Sequence, residues 1–192
     1  YFSFTKKAAN EAATRAADKF GLDIENDLEN FRTLHSFAFR KLGITKEKMM
    51  GPDDYREFGI KCGIPIKTTS FSNDDGTFNS DNEYLTIINT ARVKRIDLLE
   101  YYDSRQNILD VERNTLFLLD QELKKFKKEK GLKDFTDLLE DYIIKKDKPK
   151  FEVLFIDEAQ DLSLIQWDMV RSLWVNAKKT YIAGDDDQAI FK

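Results

Sequence analysis

Apolar positions along this chain recur with two spacings, and the changes between them mark its organisation. Tyr1–Phe4 reads as the end of a strand, after which Thr5 opens KKAANEAATRAADKF, an alanine-rich helical segment that Gly21 closes. Asn30–Leu34 reads as another short strand, and His35–Leu42 as a helix ending at Gly43. From Ile44 to about Gly131 the pattern turns mainly helical. Pro52 with Asp53 and Asp54 marks a helix start, and Thr68–Ser80, carrying Asp75-Gly76, a loop or small hairpin. Ser80-Asp81-Asn82-Glu83 has capping-box spacing and predicts a long helix with Ile88, Ala91, Leu98 and Tyr102 on its apolar side. A further helix is expected from about Ile108 to Lys130, its closing KKFKKEK a solvated face. Asp134 then caps the helix of DFTDLL, and Lys145–Lys150 is a charged loop.

In the last third, Val153–Ile156 is an unbroken apolar run, the signature of a strand buried on both faces of a parallel sheet. Ser163 and Gln166 have the spacing of a capping box, and Trp167, Val170 and Trp174 follow at the spacing of a packed helix. Thr180–Ala183 is a second short strand that stops at Gly184. Strand, helix and strand make a βαβ unit, in which both strands end on the same edge.

Composition narrows the class. A chain of 192 residues can bury one sizeable core, or one domain with an insertion. The net charge of −4, from 31 basic and 35 acidic residues, does not suggest duplex binding by bulk charge, yet leaves room for a local basic groove. With Cys62 the only cysteine and His35 the only histidine, an internal disulfide is excluded and a Cys- or His-ligated zinc site disfavoured. No apolar run approaches the length of a membrane span and no signal peptide is visible, so a soluble intracellular protein is expected. The chain does not begin with Met and stops just past a polar loop, so it reads as a piece of a longer protein.

The central strand ends abruptly on Asp157 and Glu158. Ligands of open α/β sheets bind beyond the carboxyl ends of the strands. Two carboxylates there suit Mg²⁺ and a phosphate chain: one holds the metal, usually through its waters, and the other activates or orients a nucleophile. Acids after a strand also serve as helix caps, but Ser163 already fills that role here. Lys6 and Lys7 oppose the dipole of their helix at a cost of about 0.3–1 kcal/mol, which suits either an approaching anion or two solvated lysines. His35, set among aromatics, fits a packed position as well as a functional one.

FIDEAQD followed by GDDDQAIF resembles motifs II and III of the UvrD/Rep/PcrA family of superfamily 1 DNA helicases. SFTKKAANEAATRA is similar to motif Ia of that family, TLHSFAFR to motif Ib, and DFTDLL to a short motif just ahead of motif II. The resemblance implies an α/β fold: an incomplete RecA-like motor domain of the P-loop NTPase type, with a parallel sheet and a mainly helical insertion. Residues 1–43 and 132–192 would be its two parts and 44–131 the insertion. It implies ATP and Mg²⁺ as cofactors, with Asp157 on the metal, Glu158 as the base that activates water, and Gln188 sensing the γ-phosphate. Phe4, Thr5 and Lys6, with Thr33, His35 and Ser36, would line the path of single-stranded DNA. The implied activity is ATP hydrolysis coupled to translocation on single strands and unwinding at duplex junctions, in a cytoplasmic protein of prokaryotic or viral origin.

No GxxxxGK(S/T) occurs in the chain. By the resemblance it would precede Tyr1, and a second motor domain would follow Lys192, so these residues alone are expected not to hydrolyse ATP. Two other readings stand beside this one. A Mg²⁺-dependent nuclease would use Asp157, Glu158 and Asp185–Asp187 but leaves Gln188 and Thr5-Lys6-Lys7 unexplained. A non-catalytic module would bind single-stranded DNA only.

Overall fold

The computed structural model describes residues 1–67, 69–71 and 78–185. In chain order the elements are α1 (Lys6–Phe20), α2 (Leu34–Leu42), α3 (Pro52–Cys62), β1 (Thr69–Phe71), β2 (Phe78–Ser80), α4 (Glu83–Val93), α5 (Leu98–Asp103), α6 (Arg113–Lys130), α7 (Phe135–Ile144), β3 (Phe151–Ile156), α8 (Leu164–Trp174) and β4 (Ala177–Ile182). This is a mixed α/β chain in two compact units: Tyr1–Gly43 with the chain from Leu139 onward, and the intervening chain from Ile44 to Leu138. Among the described residues no helix is long and apolar enough to cross a membrane.

The first unit is organised by β3 and β4, which run parallel with Phe155 beside Tyr181 and Ile156 beside Ile182. α8 is the crossover between them, completing the expected βαβ unit. Single parallel bridges extend the pattern, Phe2 beside Ile156 and Arg32 beside Phe2. The Phe2 N–H donates to the Phe155 carbonyl at 2.8 Å, and the Asp157 N–H donates to the Phe2 carbonyl at 2.8 Å. The strands expected at Tyr1–Phe4 and Asn30–Leu34 are thus one bridge long, because each turns at once into a capped helix. Thr5 Oγ1 accepts the Ala8 N–H at 3.1 Å, and Thr33 Oγ1 accepts the Ser36 N–H at 3.3 Å. Phe2 meets Phe37 edge-on at 4.9 Å, and Phe37 meets Tyr142 at 5.6 Å, all three fully buried beside Leu154 and Ile156.

Two expectations change here. β3 is not buried on both faces: Leu154 and Ile156 are covered, but Val153 is 40% and Phe155 46% exposed. Side chains alternate across a strand, so the uncovered face is that of Phe155, whose ring stacks on Tyr181 at 4.9 Å. In α8 the covered stripe is Ile165, Met169, Val170 and Leu173, whereas Trp174 is 50% exposed. Both stripes fit helical spacing, and the neighbouring chain selects the one rotated away from the tryptophans.

The second unit packs α3, α4, α5 and α6 around Phe58, Leu85, Ile88, Leu116, Leu123 and Phe126. β1 and β2 form a small antiparallel hairpin, with Thr69 opposite Ser80; the Asp75-Gly76 turn lies outside the described residues. The cap of α4 is Asn82 rather than Ser80, with Asn82 Oδ1 accepting the Leu85 N–H at 3.2 Å. The expected long helix is two, because Arg95 takes a left-handed φ of 55° and Asp97 caps a new start at α5. Likewise α6 begins after a Glu112 cap, not at Ile108.

KKFKKEK is not wholly a solvated face. Phe126 and Lys127 are buried, and Lys127 Nζ lies 2.6 Å from Asp134 Oδ2 and 2.7 Å from Asp137 Oδ2. Arg92 reaches the same two carboxylates at 2.8 Å and 2.6 Å. Asp134 caps α7 as expected, since the Asp137 N–H donates to Asp134 Oδ1 at 2.8 Å; Asp137 Oδ2 returns the contact to the Asp134 N–H at 2.8 Å. Burial opposes ionisation of Asp134, but the charges of Arg92 and Lys127 outweigh it and hold the carboxyl well below the usual range. Burial and the adjacent Asp134 charge push Asp137 the other way, up.

Candidate functional site

Parallel strands deliver their carboxyl ends to one edge, and the backbone bonds beyond β3 and β4 keep the two exits together. The Ala183 N–H donates to the Ile156 carbonyl at 2.8 Å, and the Ala159 N–H donates to the Ala183 carbonyl at 3.0 Å. Phe2 and Arg32 run parallel to β3, so the starts of α1 and α2 emerge on the same edge. Asp157 and Glu158 therefore share that edge with Ala183–Asp185 and with two helix N-termini, whose dipoles favour negative charge.

Asp157 is partly exposed, and both its oxygens are engaged. Oδ1 accepts the Glu158 N–H at 3.1 Å, and Oδ2 accepts the hydroxyl of Tyr1. The Tyr1 ring is stacked on Phe31 with centroids 5.1 Å apart. Burial first, and then the Asp157 carboxylate, push the Tyr1 hydroxyl well above its ordinary range, so it stays protonated and donates.

Glu158 sits in the left-handed region at φ 53°, ψ 42°, a conformation that costs a non-glycine residue about 1–3 kcal/mol. This sharp turn sends the chain from β3 into a short 3-10 turn at Ala159–Asp161 and leaves the Glu158 carboxylate exposed. Gln160 Nε2 donates to Glu158 Oε2 at 2.6 Å, and Gln160 Oε1 accepts the Asp185 N–H at 3.0 Å. One amide thus links the acid after β3 to the loop after β4. Gly184 makes the approach possible: a Cβ there would lie 2.7 Å from Gln160 Oε1 and 3.2 Å from the Gln160 nitrogen.

Among the described residues no group of three or more His, Cys, Asp and Glu side chains could cage a metal ion. Mg²⁺ bound with a nucleotide needs no such cage, since one or two carboxylates, waters and phosphate oxygens complete its shell. Asp157 and Glu158 offer oxygen donors only, at a strand end beside helix N-termini. That donor set fits a hard cation with a phosphate chain.

The other expected residues fall as follows. Phe4 is partly exposed, between the Phe2 bridge and the Thr5 cap; Lys6 is exposed at the first position of α1. Thr5 and Thr33 are both N-caps, Thr33 being buried. His35 is half-buried in the first turn of α2, and Ser36 is exposed, its Oγ accepting from Arg32 Nη1 at 3.4 Å. Gln188, Asp186 and Asp187 lie outside the described residues. The structure thus brings Asp157 and Glu158 to one edge with the segments of Phe4–Lys6 and Thr33–Ser36, while Gln188 is not placed. Three residues at this edge escaped the sequence reading. Gln160 and Gly184 stand inside the quoted stretches but obey no spacing rule, and Tyr1 is tied to Asp157 across nearly the whole chain.

A family model described as the UvrD/REP helicase N-terminal domain matches residues 1–192. Among curated proteins, the chain is similar to a probable DNA helicase II homolog of Mycoplasma pneumoniae, 24% identical over 209 residues that cover 99% of this chain and 28% of the relative. It is similar also to a probable DNA helicase II homolog of Mycoplasma genitalium, 26% identical over 213 residues, 99% of this chain and 29% of the relative. The chain therefore spans less than a third of either relative's length. The match of the family model from Tyr1 to Lys192 identifies this chain as a member of the UvrD/REP helicase N-terminal domain family.

Proposed function

We propose that this chain is part of the motor of an ATP-dependent DNA helicase, in a soluble cytoplasmic protein that moves along single-stranded DNA and opens duplex junctions. Its first unit would be the core of a RecA-like domain, completed by chain outside these residues. The observation that carries the reading is the shared edge, where the acids after β3, the loop after β4 and the N-termini of α1 and α2 come together. Bound there, Mg²⁺ would neutralise phosphate charge and hold the triphosphate in register for attack.

Asp157 would be the carboxylate toward the metal. Glu158 would accept the proton of the attacking water; its exposed, strained position aims the carboxylate out of the strand end. Gln160 would report the position of Glu158 to the loop that leads to Gln188, the residue assigned to sense the γ-phosphate. Phe4, Thr5 and Lys6 with Thr33, His35 and Ser36 would face the single strand, aromatic surface against bases and polar groups against phosphates. The cap bonds use Thr5 and Thr33 as acceptors, and a hydroxyl that accepts still has its own hydrogen to donate to a phosphate.

The test is a tailed duplex incubated with the full-length protein. Strand separation that needs both ATP and Mg²⁺ and leaves the strands intact supports the motor. Mg²⁺-dependent cleavage without ATP would instead establish the nuclease reading, and tight single-strand binding with no nucleotide turnover the binding module.

A further inference from the structure

We propose that Tyr1 is a positioning residue for Asp157: its hydroxyl fixes the carboxylate and thereby sets the affinity of this edge for a divalent cation. The inference rests on the reading of Asp157 as the metal-side carboxylate. Tyr1 is held in three ways. Its carbonyl accepts the Arg32 N–H at 3.1 Å, its ring stacks on Phe31 at 5.1 Å, and its hydroxyl donates to Asp157 Oδ2. With Glu158 N–H on Oδ1 at 3.1 Å, each oxygen of Asp157 has its own donor, which removes rotation of the carboxyl about its last bond.

The two donors do not block the site. An ionised carboxylate has about four acceptor positions, so each oxygen keeps one for a metal ion or a metal-bound water. Ligands oriented by an outer partner bind metals more tightly than ligands that must be ordered on binding. The ring stack and the main-chain bond fix Tyr1 before any ligand arrives, so the ordering is complete beforehand. Asp157 itself is only partly buried, and among the described residues the Tyr1 hydroxyl is the donor that holds Oδ2.

The experiment is Tyr1→Phe in the full-length protein, which keeps the ring on Phe31 and removes only the hydroxyl. Mn²⁺ in the presence of ATP is titrated by electron paramagnetic resonance, ATP affinity is measured separately in EDTA, and thermal unfolding is followed in parallel. The expected result is Mn²⁺ affinity weaker by about 10-fold, with metal-free ATP affinity and the thermal midpoint unchanged. Mn²⁺ affinity within twofold of the parent protein overturns the proposal, as does a loss matched by an equal loss of metal-free ATP affinity. Asp157→Asn separates the two claims. If it weakens Mn²⁺ binding while Tyr1→Phe does not, only the role of Tyr1 fails; if Asp157→Asn has no effect either, the metal reading of Asp157 fails with it.

Discussion

Replacing Lys127 by Met tests the buried charge cluster of the second unit. Lys127 is 7% exposed and Asp134 2%, so neither charge is relieved by water. Lys127 Nζ is 2.6 Å from Asp134 Oδ2 and 2.7 Å from Asp137 Oδ2, and without it Arg92 is left to balance the two carboxylates. Removing one partner of a buried pair costs about 3–5 kcal/mol. Two effects offset part of it: the apolar Met stem fills the space, and Asp137, already raised by burial and by Asp134, can take up a proton. The expected loss at pH 7 is about 2–4 kcal/mol. A raised carboxyl binds more protons folded than unfolded, so its unfavourable ionised form is removed as pH falls toward the ordinary value near 4, and stability rises. The penalty of Lys127→Met therefore shrinks from pH 7 to pH 5. Trp167 and Trp174 belong to the other unit, so the assay is amide hydrogen exchange in α4 and α6 across urea concentrations. Lys125→Met is the control, because its pair with Glu122 joins side chains that are 59% and 43% exposed, and it should cost less than about 1 kcal/mol. A loss under 1 kcal/mol for Lys127→Met, or a penalty that grows on acidification, would refute the reasoning.

Two further substitutions address the edge itself. Gly184→Ala places a Cβ 3.2 Å from the Gln160 nitrogen and 3.3 Å from that of Ala159, so backbone must move; full-length ATP turnover should fall more than about 10-fold, and unchanged turnover would separate the two loops functionally. Glu158→Gly relieves the φ of 53° and should raise stability by about 0.5–1 kcal/mol in urea unfolding followed by tryptophan fluorescence, while abolishing turnover; a loss of stability would contradict the strain.

What could be read in the chain beforehand is what short-range chemistry decides. Thr5, Gly21, Gly43, Pro52 and Ser163 each act on a helix end within a few residues, and each falls where its spacing indicates. The βαβ unit follows from two apolar runs flanking one periodic segment, and its parallel pairing from the length of the crossover. Longer-range choices were not visible. Trp174 and Leu173 are adjacent and both apolar, and only the packed neighbours decide that Leu173 turns inward. Lys127 looks like its neighbours in a run of lysines until Asp134 and Asp137 are folded against it. Arg95 breaks a helix that propensity alone would continue, because Asp97 competes as a cap for the next one. At the edge, Asp157 and Glu158 announced themselves by ending an apolar strand, whereas the Tyr1 hydroxyl reaches Asp157 from 156 positions away, beyond any motif spacing.

Glu158→Gln gives the most direct measurement of whether this edge hydrolyses a nucleotide. The amide keeps the size and the contact to Gln160 but cannot accept a proton from water. Single-stranded-DNA-stimulated ATP turnover of the full-length variant should fall by about 100-fold or more while ATP affinity in Mg²⁺ stays within a few-fold of the parent. Turnover at the parent rate would contradict the assignment of Glu158 and, with it, the claim that these strand ends form a catalytic edge.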